Sequence, residues 1–315
     1  MKYVFSLLLG CLVLSCSSPR NLEEIKQDYG SFAEGETIKL IEADYRKTPI
    51  AHKVEHHPEL FTYLEDVEIY SMAHLSDGLF ITGYVVQPKQ PGTYPCIVYN
   101  RGGNGDLGQL IMATAVEQMA LLASHGYVVV ASNYRGTTYS EGKDEFGGKD
   151  VNDVLNLIES LSDLEKADTS KIGLFGISRG GMMNYLVSKT LGDKIDAVIT
   201  IGGISDLEMT MKYHPQITDV CIERIPNFET NRKAECAARS AIEWTEELSS
   251  KTAFLILHGK DDTHVKYDQA EALSNRMKSL GMTVQFKGFE AGSHGLSEHR
   301  KEVMKLCASW LEKYL

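Results

Sequence analysis

The sequence is short of positive charge, aromatic side chains and proline. It has 32 Lys and Arg against 43 Asp and Glu, a formal net charge of −11, and so acidic a chain is poorly suited to binding the phosphates of nucleic acid. Aromatic residues make up 9%, and 8 of the 315 residues are proline, which excludes collagen-like and proline-rich low-complexity proteins. The 43% of apolar residues is typical of a globular protein with one large or two small cores.

Long apolar runs are also missing, apart from a short one at residues 4–13. About 20 residues are needed to span a bilayer, so this run, which follows Met1 and Lys2, has the length of a signal-peptide core. The segment Val13-Leu14-Ser15-Cys16 resembles a bacterial lipobox. We therefore predict a lipoprotein signal peptide over residues 1–15 and a lipid anchor on Cys16, which would place the protein in the periplasm or at the cell surface, attached to a membrane. The alternative is a conventional signal peptide that leaves Cys16 as a free thiol.

Four cysteines remain beyond this leader and Cys16, and none has zinc-ligand spacing. Cys96 and Cys307 lie in apolar patterns and are predicted to be buried. Cys221 and Cys236 share a polar segment and could form a disulfide in an oxidising compartment.

Two other clusters do not indicate a bound cofactor. The glycines of residues 102–105 are not followed by the Lys-Ser/Thr pair of a phosphate-binding loop. His52, His56 and His57 lack a carboxylate or cysteine that would complete a metal site. The sequence therefore implies no metal and no organic cofactor.

The order of predicted strands and helices indicates the fold class. Residues 16–65 are polar and are interpreted as a tether and N-terminal arm, with one helix around residues 21–29, before a domain at 66–315. That domain opens with a predicted hairpin around Asp77-Gly78, and apolar strands then alternate with amphipathic helices. Because parallel strands need a helix to return the chain, we predict an α/β fold with a mostly parallel central sheet and helices on both faces. The gap at residues 205–250 predicts a helical insertion over the active site.

One motif indicates a catalytic nucleophile. Gly176-Ile177-Ser178-Arg179-Gly180 directly follows a predicted strand and directly precedes a predicted helix. This is the context of a nucleophile elbow, in which flanking glycines permit a strained turn that exposes the serine. The amide of Arg179, at the start of the helix, would stabilise developing negative charge.

A serine nucleophile needs a histidine base and a carboxylate that orients it. In α/β-hydrolases the acid and the histidine follow the serine in that order, on loops after later strands. Two such loops are present, and we predict Asp262 as the acid and His294 as the base. Asp261 is the alternative acid, and the alternative bases are His264, on the acid's own loop, and His299.

From about residue 67 to the C terminus the chain resembles the hydrolase domain of the prolyl oligopeptidase family of serine peptidases. The elbow carries this resemblance together with three further segments, which are Ser76-Asp77-Gly78 with the following strand, Asn133-Tyr134-Arg135-Gly136, and Phe146-Gly147-Gly148-Lys149-Asp150-Val151-Asn152-Asp153-Val154. The acid loop is also similar to that of the family in His258, Gly259, Asp262 and Val265, and this similarity favours Asp262 over Asp261.

The chain departs from the family pattern at two places. The loop that would complete the oxyanion hole reads Arg101-Gly102-Gly103, so we predict that backbone amides of Arg101 or Gly102 act there together with that of Arg179. The Arg101 side chain is predicted either to bind a substrate carboxylate or to pair with a surface acid, and Tyr134 is a candidate pocket residue. About 50 residues precede the hairpin, too few for the β-propeller that family peptidases usually carry.

These observations predict a serine hydrolase that cleaves short peptides through Ser178, Asp262 and His294 and an acyl-enzyme. The alternative is a carboxylesterase or deacetylase that acts on small or sugar esters with the same three residues. A scaffold protein without activity is least favoured, because no member of the triad is missing from the sequence.

Overall fold

A nine-stranded sheet runs through residues 20–315, the part of the chain that the computed structural model describes. The predicted signal peptide and Cys16 lie outside the described residues. The strands are β1 (Ile38–Glu42), β2 (Val67–Ser76), β3 (Leu79–Pro88), β4 (Tyr94–Asn100), β5 (Val128–Ser132), β6 (Ala167–Ile177), β7 (Ala197–Ile201), β8 (Ala253–Gly259) and β9 (Val284–Phe289).

The strand order is β1-β2-β3-β5-β4-β6-β7-β8-β9. The pairs β1–β2, β2–β3 and β3–β5 are antiparallel. Every pair from β5–β4 to β8–β9 is parallel. The predicted fold class is therefore confirmed. The predicted hairpin is also present, with Ser76 opposite Leu79, and Asp77 and Gly78 have the positive φ values of 51° and 78° that a two-residue hairpin turn requires.

Helices connect the strands and cover both faces of the sheet. They are α1 (Leu22–Tyr29), α2 (Ile50–His56), α3 (Met112–Thr114), α4 (Ala120–Ala123), α5 (Val151–Glu159), α6 (Arg179–Leu191), α7 (Leu207–Tyr213), α8 (Gln216–Arg224), α9 (Phe228–Ala238), α10 (Tyr267–Ser279) and α11 (Arg300–Tyr314). A π-helical turn joins α3 to α4. Within residues 20–315, no helix combines the length and apolar character needed to cross a bilayer.

The apolar strands serve two cores at once. In β4, Ile97 packs into the core that lies under α4 and α11, whereas its neighbours Cys96 and Val98 point into the core under α5, α6 and α10. Because successive side chains of a strand point to opposite faces, a continuous apolar run is what a sheet covered on both faces requires. Cys307 lies in the first of these cores, so Cys96 and Cys307 are both buried as predicted.

The N-terminal arm is more ordered than its composition predicts. Helix α1 begins after Asn21, whose side chain accepts from the N–H of Glu24, while the Glu24 carboxylate accepts from the N–H of Asn21. Strand β1 then adds to the sheet edge along β2. The strand was not predicted, because an edge strand is only half covered and shows little alternation of apolar and polar residues.

The predicted insertion contains α7, α8 and α9. Its own small core joins Leu207, Met211 and Phe228 to Phe146 and Met182 of the hydrolase domain, so the insertion packs directly beside the elbow. Cys221 and Cys236 lie buried in this core as free thiols, and the disulfide considered from the sequence is not formed.

Candidate active site

Ser178 lies at a strained turn between β6 and α6. Its φ of 59° and ψ of −121° are values that residues other than glycine rarely adopt. The flanking glycines make the turn possible, because a Cβ at Gly180 would lie 1.9 Å from the Asn100 carbonyl oxygen and one at Gly176 would lie 2.3 Å from the Gly180 carbonyl oxygen. The serine side chain therefore projects from a turn that larger neighbours would block.

Asp262 follows β8, and four donors surround its carboxylate. Oδ2 lies 2.7 Å from His294 Nδ1 and 3.1 Å from His258 Nε2, and Oδ1 accepts from the N–H groups of His264 and Val265. Burial alone would raise the pKa of Asp262, but the hydrogen bonds from His258 and His294 outweigh burial and hold it well below its ordinary value. The carboxylate is therefore charged and fixed against the ring of His294.

The loop that carries His294 follows β9, and contacts on one side and open space on the other determine the position of the ring. Ser293 donates to the Glu298 carboxylate through its N–H and its hydroxyl, and Leu296 is buried with a φ of 53°. On the other side, a Cβ at Gly202 would lie 3.0 Å from His294 Nδ1. The absence of a side chain at Gly202, a residue that the sequence did not single out, leaves room for the ring.

Ser178 and His294 open onto one cavity of about 230 Å³. The residues that line it come from the elbow, the insertion and the segments after β4, β5, β7, β8 and β9. They are Gly103, Asn104, Leu107, Phe146, Ser178, Arg179, Ile204, Thr210, His214, Ile217, His264, Val265 and His294. Among the described residues, Ser178 and His294 are not hydrogen-bonded to each other, and such catalytic contacts are often loose before substrate binds.

The alternative acid and bases occupy other positions. Asp261 is exposed, and His299 Nε2 lies 2.9 Å from the Glu290 carbonyl oxygen. His264 stacks on His294 with ring centroids 4.9 Å apart, although it is His294 whose Nδ1 is bonded to the Asp262 side chain. The geometry therefore brings together Ser178, His294 and Asp262.

The loop after β4 passes alongside the nucleophile. A Cβ at Gly102 would lie 3.3 Å from Ser178 Cβ, so a larger residue there would crowd the nucleophile. Arg179 is the first residue of α6, where the backbone N–H has no partner within the helix. The backbone of Gly102 therefore lies beside Ser178, and the oxyanion role of the amides stays a prediction.

The structure corrects the predicted roles of two side chains. Arg101 is 1% exposed and donates to the carbonyl oxygens of Gly102, Gly105, Leu107 and Asn133. It binds neither a substrate carboxylate nor a surface acid, and it instead fixes the loop that follows it. Burial and the nearby charge of Arg179 lower the pKa of Arg101 to about 10.

Tyr134 is fully buried and does not line the cavity. Its ring lies between two guanidinium groups, with its centroid 4.9 Å from that of Arg101 and 5.1 Å from that of Arg179, and its hydroxyl donates to Asn100 Oδ1. It is therefore a packing residue beneath the site.

An ion-pair cluster under the elbow was not predicted. Arg179, fully buried, pairs with Asp144 at 2.7 Å and with Asp150 at 2.6 Å, and Asp144 also accepts from the N–H of Gly105. The pKa of Asp144 would rise through burial, but the charge and hydrogen bonds of Arg179 lower it instead. The cluster thus ties the residue after the nucleophile to the loop after β4. The sequence does show acidic residues around Phe146, but it does not indicate that Arg179 is their partner.

Comparison with known proteins agrees with this geometry. Residues 113–315 match the model of the prolyl oligopeptidase family. The chain belongs to the prolyl oligopeptidase family. It is therefore a serine hydrolase of the peptidase type.

The chain is similar to two peptidases and one esterase. An uncharacterized peptidase of Bacillus subtilis, YtmA, is 26% identical over 250 residues, which are 79% of this chain and 95% of YtmA. The acylaminoacyl peptidase of Pyrococcus horikoshii has a TM-score of 0.69 and 25% identity over 82% of this chain. An acetyl xylan esterase from Paenibacillus sp. R4 has a TM-score of 0.62 and 16% identity, covering 93% of this chain and 92% of its own. This chain spans less than half, 44%, of the acylaminoacyl peptidase.

Proposed function

We propose that this prolyl oligopeptidase family member cleaves amide bonds of short peptides with Ser178 as nucleophile, His294 as base and Asp262 as the group that orients His294. The observation that carries the proposal is the 2.7 Å contact between Asp262 and His294 in the cavity onto which Ser178 opens. Membership of a family of peptidases supports an amide substrate.

The reaction takes two steps. In the first, Ser178 Oγ bonds to the carbonyl carbon and His294 Nε2 accepts the serine proton, while the amides of Arg179 and Gly102 donate to the oxyanion. The tetrahedral intermediate then expels the amine, which takes the proton from His294, and leaves an ester to Ser178. In the second step His294 takes a proton from water, whose oxygen bonds to the acyl carbon. The bond from this carbon to Ser178 Oγ then breaks, Oγ takes the proton back from His294, and the carboxylic acid leaves.

The size of the cavity favours a small acyl group. A volume of about 230 Å³ is below the roughly 300–1,000 Å³ of typical small-molecule sites, so it suits one side chain or a short acyl chain. Ile204, Ile217 and Val265 make much of the wall apolar, which favours an uncharged group. The small volume of the cavity would also suit a short acyl ester, so ester hydrolysis is the second candidate. The acetyl xylan esterase described above shares the fold.

The first test is hydrolysis of matched aminoacyl anilides, dipeptidyl anilides and short-chain acyl esters by the protein and by its Ser178→Ala variant. We expect anilide cleavage that falls by at least about 10³-fold in the variant, because no other nucleophile is placed at the elbow. Serine-dependent cleavage of esters alone would replace the peptidase proposal by the esterase. Retention of most activity in Ser178→Ala would contradict both.

We also propose that Cys16 anchors the protein to a membrane through a lipid. The support is the sequence alone, namely the short apolar run and the lipobox-like Val13-Leu14-Ser15-Cys16. In a bacterial host fed a labelled fatty acid, we expect label in the protein and its recovery with membranes, both lost in Cys16→Ser. Cys11→Ser is the matched control, since Cys11 lies inside the predicted signal peptide, and equal labelling of the two variants would contradict the anchor.

A further inference from the structure

Three histidines line the cavity, although the proposed mechanism uses one. His214 follows α7 in the insertion, and His264 lies on the acid loop, two residues after Asp262. The ring centroid of His264 is 5.0 Å from that of His214 and 4.9 Å from that of His294. The second ring in this row, that of His264, has no part in the proton transfers described above.

The ligand atoms of three of these residues converge. One atom each from Asp262, His264 and His294 lie within 4.8 Å of one another. Zinc binds imidazole nitrogen and carboxylate oxygen at roughly 2.0–2.2 Å in a tetrahedral arrangement, which places two ligand atoms about 3.3 Å apart. His264 is exposed, so its side chain can rotate to bring a ring nitrogen towards the other two ligand atoms without moving the core.

We propose that Asp262, His264 and His294 form an inhibitory binding site for a divalent transition-metal ion, of which Zn²⁺ best matches the ligands. Imidazole and carboxylate together suit such borderline ions, and a water molecule from the cavity can fill the fourth position. The three residues come from two different loops, so no ligand spacing in the sequence could have indicated the site.

Either nitrogen of His294 gives the same outcome when it binds the metal. Ligation at Nδ1 replaces the hydrogen bond to Asp262 that orients the ring. Ligation at Nε2 occupies the lone pair that must accept the proton of Ser178. Inhibition therefore rests on the proposed function of His294, whereas binding of the ion does not.

A second pair of histidines supplies the control. His52 and His56 stack at 4.0 Å on α2, and their exposed rings offer an independent place for zinc, outside the cavity. Zinc bound there would leave Ser178 and His294 untouched.

Binding is tested by calorimetric titration of zinc chloride into the full-length Ser178→Ala protein, which keeps the site without turnover. We expect at least a tenfold loss of affinity for one zinc ion when His264→Gln is added, because even groups that only support a ligand contribute 10- to 100-fold. The double variant His52→Gln with His56→Gln should keep that ion. Unchanged zinc binding in the His264→Gln protein, with circular dichroism showing it folded, would overturn the site.

Inhibition is tested with the active protein on its best substrate, each variant being compared with its own rate without zinc. We expect zinc to inhibit the protein and EDTA to reverse the inhibition. The His264→Gln protein should need at least tenfold more zinc for the same inhibition, whereas the double variant His52→Gln with His56→Gln should need no more than the unmodified protein. Equal zinc sensitivity of the His264→Gln and unmodified proteins would overturn inhibition at this site. If the proposed hydrolase function is wrong, no serine-dependent activity will be found, but calorimetry will still detect zinc binding that depends on His264.

Discussion

Arg179 contributes to the site through its side chain as well as its amide. The guanidinium group lies between two buried carboxylates, Asp144 and Asp150, and donates to the Gly103 carbonyl oxygen. Since Asp144 also holds Gly105, one ion pair fixes the positions of both parts of the predicted oxyanion hole. A buried pair of this kind is costly to break, because the remaining charge is left without a partner.

We predict that Arg179→Met lowers the free energy of unfolding by about 3–5 kcal/mol, the usual cost of leaving buried charges unpaired. The measurement is urea denaturation at pH 7. The matched control is Arg276→Met, which removes an exposed ion pair with Glu246 and should leave the midpoint close to that of the unmodified protein. A similar small effect of both substitutions would show that the buried cluster does not stabilise the fold.

Among the elements, helix α8 of the insertion contacts the loop after β4 through one arginine, Arg224. Arg224, the last residue of α8, donates to Asn104 Oδ1 at 2.9 Å. Its guanidinium packs against Gly105, where an added Cβ would lie 2.8 Å from Nη2. Arg224 Nη1 is also 3.9 Å from Asp144 Oδ2. The helices of the insertion therefore contact the loop that carries the predicted oxyanion amides.

We predict that Arg224→Ala lowers kcat/KM roughly three- to tenfold, which corresponds to the about 1 kcal/mol of one hydrogen bond. The loss arises because the loop is held less firmly, so thermal stability should change little. Steady-state kinetics and a thermal melt measure the two effects. Arg232→Ala, an exposed arginine on the neighbouring α9, is the control, and an equal response of both variants would contradict a role for the Asn104 contact.

At the scale of the whole molecule, several loops are held by carboxylates that must stay charged. Interactions with Arg179 lower the pKa of Asp144, and hydrogen bonds from His258 and His294 lower that of Asp262, in each case against the effect of burial. A lowered folded-state pKa gives stability that is complete above the unfolded value of about 3.9 and is lost as the pH falls through the folded value. Asp153 shifts the other way, because burial raises its pKa, and offsets part of the effect.

We therefore predict that the free energy of unfolding begins to fall below about pH 6.5, because burial lowers the pKa of His74 to about 3, and that it falls more steeply below about pH 4. Urea denaturation at several pH values measures this dependence. Stability that rises as the pH falls to 3 would show that carboxylates with raised pKa values, such as Asp153, dominate instead.

The order of elements and the candidates for the triad follow from the sequence. Ser178, Asp262 and His294 each lie in a turn or loop after a predicted strand, and the carboxyl ends of parallel strands meet at one edge of a sheet. Local pattern and topology together were therefore enough to predict that these three residues lie close together. The glycines of the elbow were predictable for the same reason, because the strain they relieve is local.

The directions and contacts of the other side chains could not be predicted, because they depend on how distant segments pack. Arg101 follows a strand as Asp262 does, yet it turns inward to four carbonyl oxygens. Arg179 pairs with Asp144, 35 residues away, and β1 joins the sheet along β2 although its own pattern is weak. Local periodicity reports which face of an element is buried, whereas the partner of a buried charge or an edge strand is set by segments that meet only when the chain is folded.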